Sequence, residues 1–321
     1  KNNNKGKNMN NLKKIGLTAL AASLVTTSAF AGEMSVAGSA SIGVKNTTGT
    51  ATTLGKSWTM GNQLTFTGGG ELDNGMNVSL SFIIDQADDS TTGLANSPFD
   101  SHSVTISSDA LGSFKFSGEG GSSAQGAMDA GAAGDLWNNG TGVAEITGAA
   151  AGNNSMFYTL PSMVDGLEVT ASMSPGRAAQ ETHTSYGVAY TGVEGLTVKF
   201  GQGDSGAPGA EIESTTMMAS YAIGSFTVSA SNTEADKTGD NNREVRSYQV
   251  AYTVSDSMSV TYGTETYETV GSSTDEEIDS LGVSYTTGGM TLSANTFDTE
   301  GAGNTAGAKT ERWALGLSFA F

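Results

Sequence analysis

The sequence has no cysteine, only two histidines and four prolines in 321 residues, and no long apolar run after residue 31. Without cysteine, His102 and His183 cannot form a metal site of the zinc type. No helical apolar period persists after residue 31, so no Gly-x-Ser-x-Gly turn can lie between a strand and a helix. The sequence therefore favours a protein that is not an enzyme and needs no cofactor.

The first 31 residues have the three parts of a secretory signal peptide. Two lysines at 13–14 precede an apolar run at 15–25, and an A-x-A cleavage signal lies at 29–31. The apolar run is about half the roughly 20 residues that a membrane-spanning helix needs. We expect residues 1–31 to be removed and residues 32–321 to form one domain.

Basic residues are scarce in the predicted mature chain. Removing residues 1–31 takes away five lysines and no acid, so 15 basic and 33 acidic side chains become 10 and 33, a net charge near −23. Such a charge repels nucleic acid and anionic surfaces at long range. We expect no nucleic-acid partner.

Alternation of apolar and small polar residues dominates the chain after residue 31. In the last segment Trp313, Leu315 and Leu317 share one face with Phe319 and Phe321. This period of two is typical of strands with two different faces. It predicts sixteen strands, at about 34–45, 57–68, 76–85, 102–108, 113–119, 154–160, 167–174, 184–191, 196–202, 214–222, 225–232, 245–254, 257–267, 279–286, 289–297 and 311–321.

The predicted links between these strands alternate between short and long without exception. The short links are rich in Gly, Asn and Asp, as tight hairpin turns require, whereas the long ones are polar and acidic. All four prolines fall in or beside links. Short turns at one end and long loops at the other are typical of outer-membrane barrels. We therefore predict an all-β fold: a transmembrane antiparallel barrel of sixteen strands, closed because an open edge would leave backbone groups unpaired in lipid.

Aromatic residues recur near the predicted periplasmic ends of the descending strands. Five tyrosines are spaced by 32, 31, 31 and 33 residues, which is the length of a two-strand unit. An aromatic girdle at the lipid–water boundary requires such placement. The alternative is an ordinary β-protein with core tyrosines, but the opposite face is too small to fill a sixteen-stranded lumen. The predicted girdle comprises Phe66, Tyr158, Tyr190, Tyr221, Tyr252, Tyr285, Phe319 and Phe321.

Three segments resemble the Gram-negative general porin family: the closing strand that ends at Phe321, the run 111–118, and the run 153–161 with 166–167. The resemblance covers the mature chain and implies a homotrimer in the outer membrane that passes ions and small hydrophilic solutes. It also implies that the barrel-assembly machinery recognises the last strand, and that lipid and lipopolysaccharide surround the barrel. Small residues on the first strand, Gly38 and Ala40, would permit close subunit contact.

The same resemblance implies that the third long link, residues 119–153, folds into the lumen and narrows the pore. A structureless link of this length is usually functional or disordered, and a floppy external loop remains the alternative. We expect Leu136 and Trp137 to anchor the link against the wall. The predicted constriction carries the acids Glu119, Asp129, Asp135 and Glu145 and the bases Lys115 and Arg312.

The sequence departs from general porins because the first strands carry no inward arginine cluster. Alternation places Lys45, Lys115, Lys199 and Arg312 as the inward bases. Acidic groups in a pore favour cations, so we expect weak cation selectivity. Acids at 275–279 and 88–89 could take up Ca²⁺ through oxygen ligands, although such runs are more often solvated loop tips. A non-transport surface barrel, such as an adhesin, and a substrate-specific channel remain the alternative functions.

Overall fold

Alternation along the chain produces strands with one apolar and one polar face, and sixteen occur in the computed structural model. The structure describes residues 34–50, 55–85, 99–129, 132–133, 136, 146, 148–176, 181–238 and 242–321. The predicted signal peptide lies outside these residues and stays a prediction. The strands are β1 (Met34–Gly49), β2 (Gly55–Glu71), β3 (Asn77–Asp85), β4 (Phe99–Ser108), β5 (Gly112–Glu119), β6 (Ser155–Thr159), β7 (Leu167–Ser174), β8 (His183–Val193), β9 (Leu196–Ala207), β10 (Ala210–Ile223), β11 (Phe226–Lys237), β12 (Arg243–Ser255), β13 (Met258–Thr269), β14 (Glu276–Thr287), β15 (Met290–Glu300) and β16 (Lys309–Ala320).

The sixteen strands form one closed antiparallel barrel. Each strand pairs with its neighbours in sequence, and β1 pairs with β16 from Ser39 opposite Ala320 to Gly49 opposite Thr310. Closure satisfies the backbone groups that an open edge would expose to hydrocarbon. The predicted fold class, an all-β antiparallel barrel of sixteen strands, is confirmed.

The strands extend further than predicted on the side of the long links, and one long link is absent. β9 and β10 are joined by residues 208–209 alone, and the links at 50–54, 238–242 and 270–275 are no longer than the short link at 160–166. The prediction of strictly alternating link lengths was wrong at these four places. Pro208 fixes its own φ, and Gly209 has a φ of 78°, a combination that suits a type II turn. The ladder continues because its backbone hydrogen bonds do not require an apolar face, which is the only signal that the sequence pattern detects.

The two faces of the barrel differ in residue type along every strand. On β8, Tyr186, Val188 and Tyr190 are exposed, whereas the alternate residues Ser185 and Gly187 are buried. We call these the apolar face and the polar face; strand pairing continues the polar face through Thr216, Ser231 and Ser247.

Short helical segments interrupt this pattern in the described residues. One is α1 (Ala124–Met128) between β5 and β6, and another is a 3-10 turn (Ala302–Asn304) before β16. Within the part of the chain that the structure describes, no helix is long and apolar enough to cross a membrane.

Candidate functional site

The third link begins and ends at a narrow neck beside β5 and β6. Gly121 and Gly152 exchange two backbone hydrogen bonds, of 3.1 and 3.0 Å. α1 follows at once: the Oγ of Ser123 accepts the N–H of Gly126 at 2.9 Å and caps the helix. The two limbs of the link therefore meet at its base. We call residues 119–153 the third loop.

Hydroxyl groups of the barrel wall accept hydrogen bonds from the backbone of the third loop. The N–H of Ala124 lies 2.8 Å from the Oγ of Ser185 on β8 and 2.9 Å from the Oγ of Ser172 on β7. Further along the loop, the N–H of Ala132 donates to the Oγ of Ser231 on β11 at 2.8 Å, and the N–H of Ala133 donates to the Oγ of Ser247 on β12 at 2.6 Å. Buried N–H groups need partners, and here the polar face supplies them.

Glycines open the space in which the third loop lies. A Cβ built on Gly201 would come within 2.9 Å of the Cα of Gln125, and one on Gly263 within 2.7 Å of the Cβ of Ala133. A Cβ built on Gly187 would likewise lie 2.7 Å from the carbonyl oxygen of Ala124. Glycine permits this close approach because it has no side chain. The backbone of the third loop therefore packs directly against the backbone of the barrel wall at these glycines.

Leu136 packs into an apolar cluster on the polar face. The side chain is 4% exposed and contacts a buried group formed with Tyr267 of β13, Ile278 of β14 and Phe297 of β15. These three residues are apolar exceptions to the small polar pattern of their strands. The second predicted anchor, Trp137, lies outside the described residues.

The return limb of the third loop is held by β9. The N–H of Ala150 donates to the carbonyl oxygen of Asp204 at 2.9 Å. The carboxylate of Asp204 bonds the Nδ1 of His183 at 2.7 Å and the N–H of Thr184 at 2.9 Å. His183, the first residue of β8, thus takes part in a structural contact at the rim.

The predicted constriction acids do not share one environment. Asp129 accepts a hydrogen bond from Thr233 of β11 at 2.8 Å. Glu119 lies beside His102, 4.0 Å away, where a bulge in β5 shifts the register. Asp135 and Glu145 lie outside the described residues. The structure therefore brings Asp129, but not Glu119, to the wall beside α1.

A model of the family described as Gram-negative porin matches residues 16–278 of the chain. The chain belongs to this family. Its localisation is the outer membrane of a Gram-negative bacterium, where porins act as channels. No curated protein matches the sequence.

Solved porins share the fold of this porin at low sequence identity. The anion-selective porin from Comamonas acidovorans is 15% identical, with a TM-score of 0.65, over 90% of this chain and 99% of that one. OmpT of Vibrio cholerae, expressed in the outer membrane, is 16% identical, with a TM-score of 0.66, over 92% and 99%. A trimer form of in-vitro folded OmpT from Vibrio cholerae is 16% identical, with a TM-score of 0.65, over 91% and 100%. These likenesses support the barrel fold.

Basic residues of the porin lie on the polar face at several places. The Nε of Arg312 on β16 donates to the Oγ1 of Thr47 on β1 at 3.2 Å, and Lys45 lies within electrostatic reach of the same guanidinium. Lys115 and Lys199 alternate onto this face of β5 and β9.

Sequence reasoning missed Arg243. It pairs with Ala235 and Thr269 and is in step with Ser247 on the polar face. The predicted β12 began at 245, so this residue was assigned to a link. Continuing the alternation by one further step would have found it.

The predicted girdle residues lie near the turn ends of their strands. Tyr190, Tyr221, Tyr252 and Tyr285 are exposed on the apolar face, between 36% and 48%. Tyr252 packs against Phe226 of β11 with ring centroids 4.7 Å apart, and Phe66 packs against Phe82 at 5.3 Å. The Tyr158 hydroxyl donates to the carbonyl oxygen of Leu111 in the neighbouring turn. Phe319 and Phe321 end the series on β16 and just after it.

The acids proposed for Ca²⁺ do not converge where the structure describes them. Glu276 is buried and accepts the N–H of Gly303 at 2.6 Å, whereas Glu277 and Asp279 are exposed on the opposite face of β14. Among the described residues, no group of three or more His, Cys, Asp or Glu side chains could hold a metal ion. The second acidic pair, at 88–89, lies outside these residues.

Proposed function

We propose that this porin is a passive diffusion channel for ions and small hydrophilic solutes, with its polar face lining a water-filled lumen. Small side chains on that face support the proposal, because a sixteen-stranded lumen lined by Ser, Thr, Gly and Ala cannot be filled by them. Transport through such a lumen needs no energy coupling and no cofactor. The barrel has no enzymatic role in this proposal.

The third loop narrows this lumen, and one observation carries the proposal most strongly. Wall hydroxyls of β7, β8, β11 and β12 accept the loop's backbone N–H groups at 2.6–2.9 Å. A loop that lay free outside the barrel would have these groups in water. Leu136, with Trp137 as the predicted second anchor, holds the far part of the loop on the wall.

The channel is weakly selective for cations. Bases at polar-face positions include Lys45, Lys115, Lys199, Arg243 and Arg312. Acids at such positions include Asp85, Glu168, Glu265 and Glu276, so the charges of the wall itself are nearly balanced. The excess of acid lies in the rim and the loops, among them the loop acids Glu119, Asp129, Asp135 and Glu145. An acidic rim raises the local concentration of cations.

The assembled form is a homotrimer surrounded by outer-membrane lipid and lipopolysaccharide. The barrel-assembly machinery recognises the closing strand that ends at Phe321. Support comes from the family and from a solved relative that forms a trimer.

Deleting residues 124–148 tests the constriction directly. Single-channel conductance in planar bilayers should rise, because the segment that occupies part of the cross-section is gone. The control replaces Pro208-Gly209 by Asn-Gly, which keeps a tight turn far from the wall contacts, and should leave conductance unchanged. Equal conductance of deletion and parent would refute the constriction. If neither the parent nor the deletion conducts, a surface barrel is favoured. If one solute blocks the current saturably, a substrate-specific channel is favoured.

A reversal potential in a salt gradient tests the selectivity. The sign of the reversal potential should indicate a weak preference for cations. This preference should decrease as ionic strength rises, because salt screens the charges at the rim. An anion-selective potential would contradict this part of the proposal.

A further inference from the structure

Gln125 lies where both limbs of the third loop meet the wall, and its side chain is fully buried. Its Oε1 accepts the N–H of Ala149 on the return limb at 2.9 Å, and its Nε2 donates to the Oγ1 of Thr216 on β10 at 2.8 Å. A backbone N–H can only donate, so the amide atom facing Ala149 must be the oxygen. The amide orientation is therefore fixed, with the NH₂ group facing Thr216.

The hydrogen bonds continue from Thr216 to Asp129 in one direction. The Oγ1 atoms of Thr216 and Thr233 are 3.0 Å apart, and Thr233 donates to the Oδ1 of Asp129 at 2.8 Å. An ionised carboxylate only accepts, and each hydroxyl has a single hydrogen. The hydrogen of Thr233 is thus committed to Asp129. That of Thr216 must point to Thr233.

We infer that Gln125 and Asp129 are the two ends of a directional hydrogen-bond chain that latches the third loop to β10 and β11. The inference rests on the proposed function, since a latched loop is what gives the constriction a fixed size. In a buried site the bonds of such a chain polarise one another, so the loss of one link weakens the others. Asp129 is then a positioning residue, because its carboxylate holds the loop through Thr233.

Because the hydrogen bonds of the latch all point the same way, exchanging the amide and the carboxylate at its two ends tests it. Gln125→Glu places an acceptor at both ends, so Thr216 and Thr233 face each other with no hydrogen between them and the chain breaks. Asp129→Asn alone preserves the chain, because an amide oxygen still accepts from Thr233. The double variant Gln125→Glu/Asp129→Asn reverses the direction: the new amide at position 129 donates to Thr233, which donates to Thr216, which donates to the new carboxylate at position 125. It also restores the parent's charge.

The experiment measures amide hydrogen exchange of residues 121–133 together with single-channel current, using the full-length chain in lipid. Gln125→Glu should exchange at least about tenfold faster in this segment and show extra current levels. Asp129→Asn and the double variant should resemble the parent. Gln249→Glu is the matched control, because it adds the same charge to the polar face of β12 at a residue that is not part of the hydrogen-bond chain. Thr233→Val removes a link without changing charge or size and should reproduce the Gln125→Glu result if that variant does not assemble.

Parent-like exchange in both Gln125→Glu and Thr233→Val would overturn the latch, as would a double variant that stays as fast as Gln125→Glu. The two readouts separate the latch from the constriction. Exchange that changes as expected while current does not would uphold the latch and reject the narrowing of the pore by the loop.

Discussion

Gly38 and Phe321 form the last pair of the barrel seam. Gly38 N–H donates to the Phe321 carbonyl oxygen at 2.7 Å, and Phe321 N–H donates to the Gly38 carbonyl oxygen at 2.9 Å. The Phe321 ring covers the glycine so closely that a Cβ on Gly38 would lie 2.3 Å from the ring. The small residue at 38, expected to permit subunit contact, thus makes room for the chain's own C-terminal aromatic residue.

A side chain at position 38 should weaken closure. Gly38→Val displaces the Phe321 ring, which is 75% exposed and can move aside, so the expected loss of stability is small, on the order of 0.5 kcal/mol. The loss of stability is measured by urea unfolding, with the folded fraction read from heat-sensitive gel migration. Gly68→Val is the control, because no atom lies within 4 Å of a Cβ at that outward glycine. Equal stability of the two variants would contradict the seam contact.

Filling the groove under α1 should displace the third loop. Gly201→Ala puts a methyl group 2.9 Å from the Cα of Gln125, and backbone cannot yield as a flexible side chain does. We expect noisier channels whose mean conductance differs from the parent. Gly61→Ala, on the same face of β2 and close only to the Ser41 hydroxyl, should behave like the parent. An unchanged current in Gly201→Ala would show that the loop does not depend on this fit.

Truncating Leu136 should loosen the far part of the loop. Leu136→Ala leaves a cavity among Tyr267, Ile278 and Phe297, and substitutions of this kind cost about 2–5 kcal/mol when the site is fully buried. Proteolysis within residues 119–153 should become faster, while the barrel itself stays resistant. Leu111→Ala, at a turn where the side chain is 61% exposed, provides the comparison. Equal proteolysis of both variants would remove Leu136 as an anchor.

Arg243 should influence selectivity, whereas its near neighbour Arg246 should not. Arg243 lies on the polar face of β12, and Arg246 lies on the other face, paired with Glu244 and Glu268. Arg243→Ser removes a positive charge from the lumen, so the reversal potential should shift toward stronger cation preference. Arg246→Ser should leave it unchanged. A shift of equal size in both would mean that the rim as a whole, not the lumen wall, sets selectivity.

The sequence predicted the barrel well because alternation, turn residues and aromatic spacing are local signals. Each of the sixteen strands overlaps its predicted segment, and Leu136 stood out as a bulky apolar residue in a polar link. Gln125 and the hydroxyls of Ser185, Thr216 and Thr233 could not be found in this way. Serine and threonine on the polar face look alike whether they contact water or the third loop, and only three-dimensional pairing distinguishes them.

The errors also have a physical cause. Strand ends beyond the membrane lose the apolar face while the backbone ladder continues. Residues 203–207 of β9, 210–213 of β10 and 243–244 of β12 were therefore assigned to links. Arg243 was lost for that reason. Period-two patterns therefore locate the part of a strand that faces lipid, and underestimate the strand itself.

The size limit for neutral polymers tests the central claim, that the third loop narrows the lumen, most directly. Polyethylene glycols of increasing size are added to planar bilayers, and the smallest one that no longer reduces conductance is determined for the parent and for the deletion of residues 124–148. A clearly larger limit in the deletion is the predicted result. The same size limit in both channels would contradict a narrowing of the lumen by the third loop.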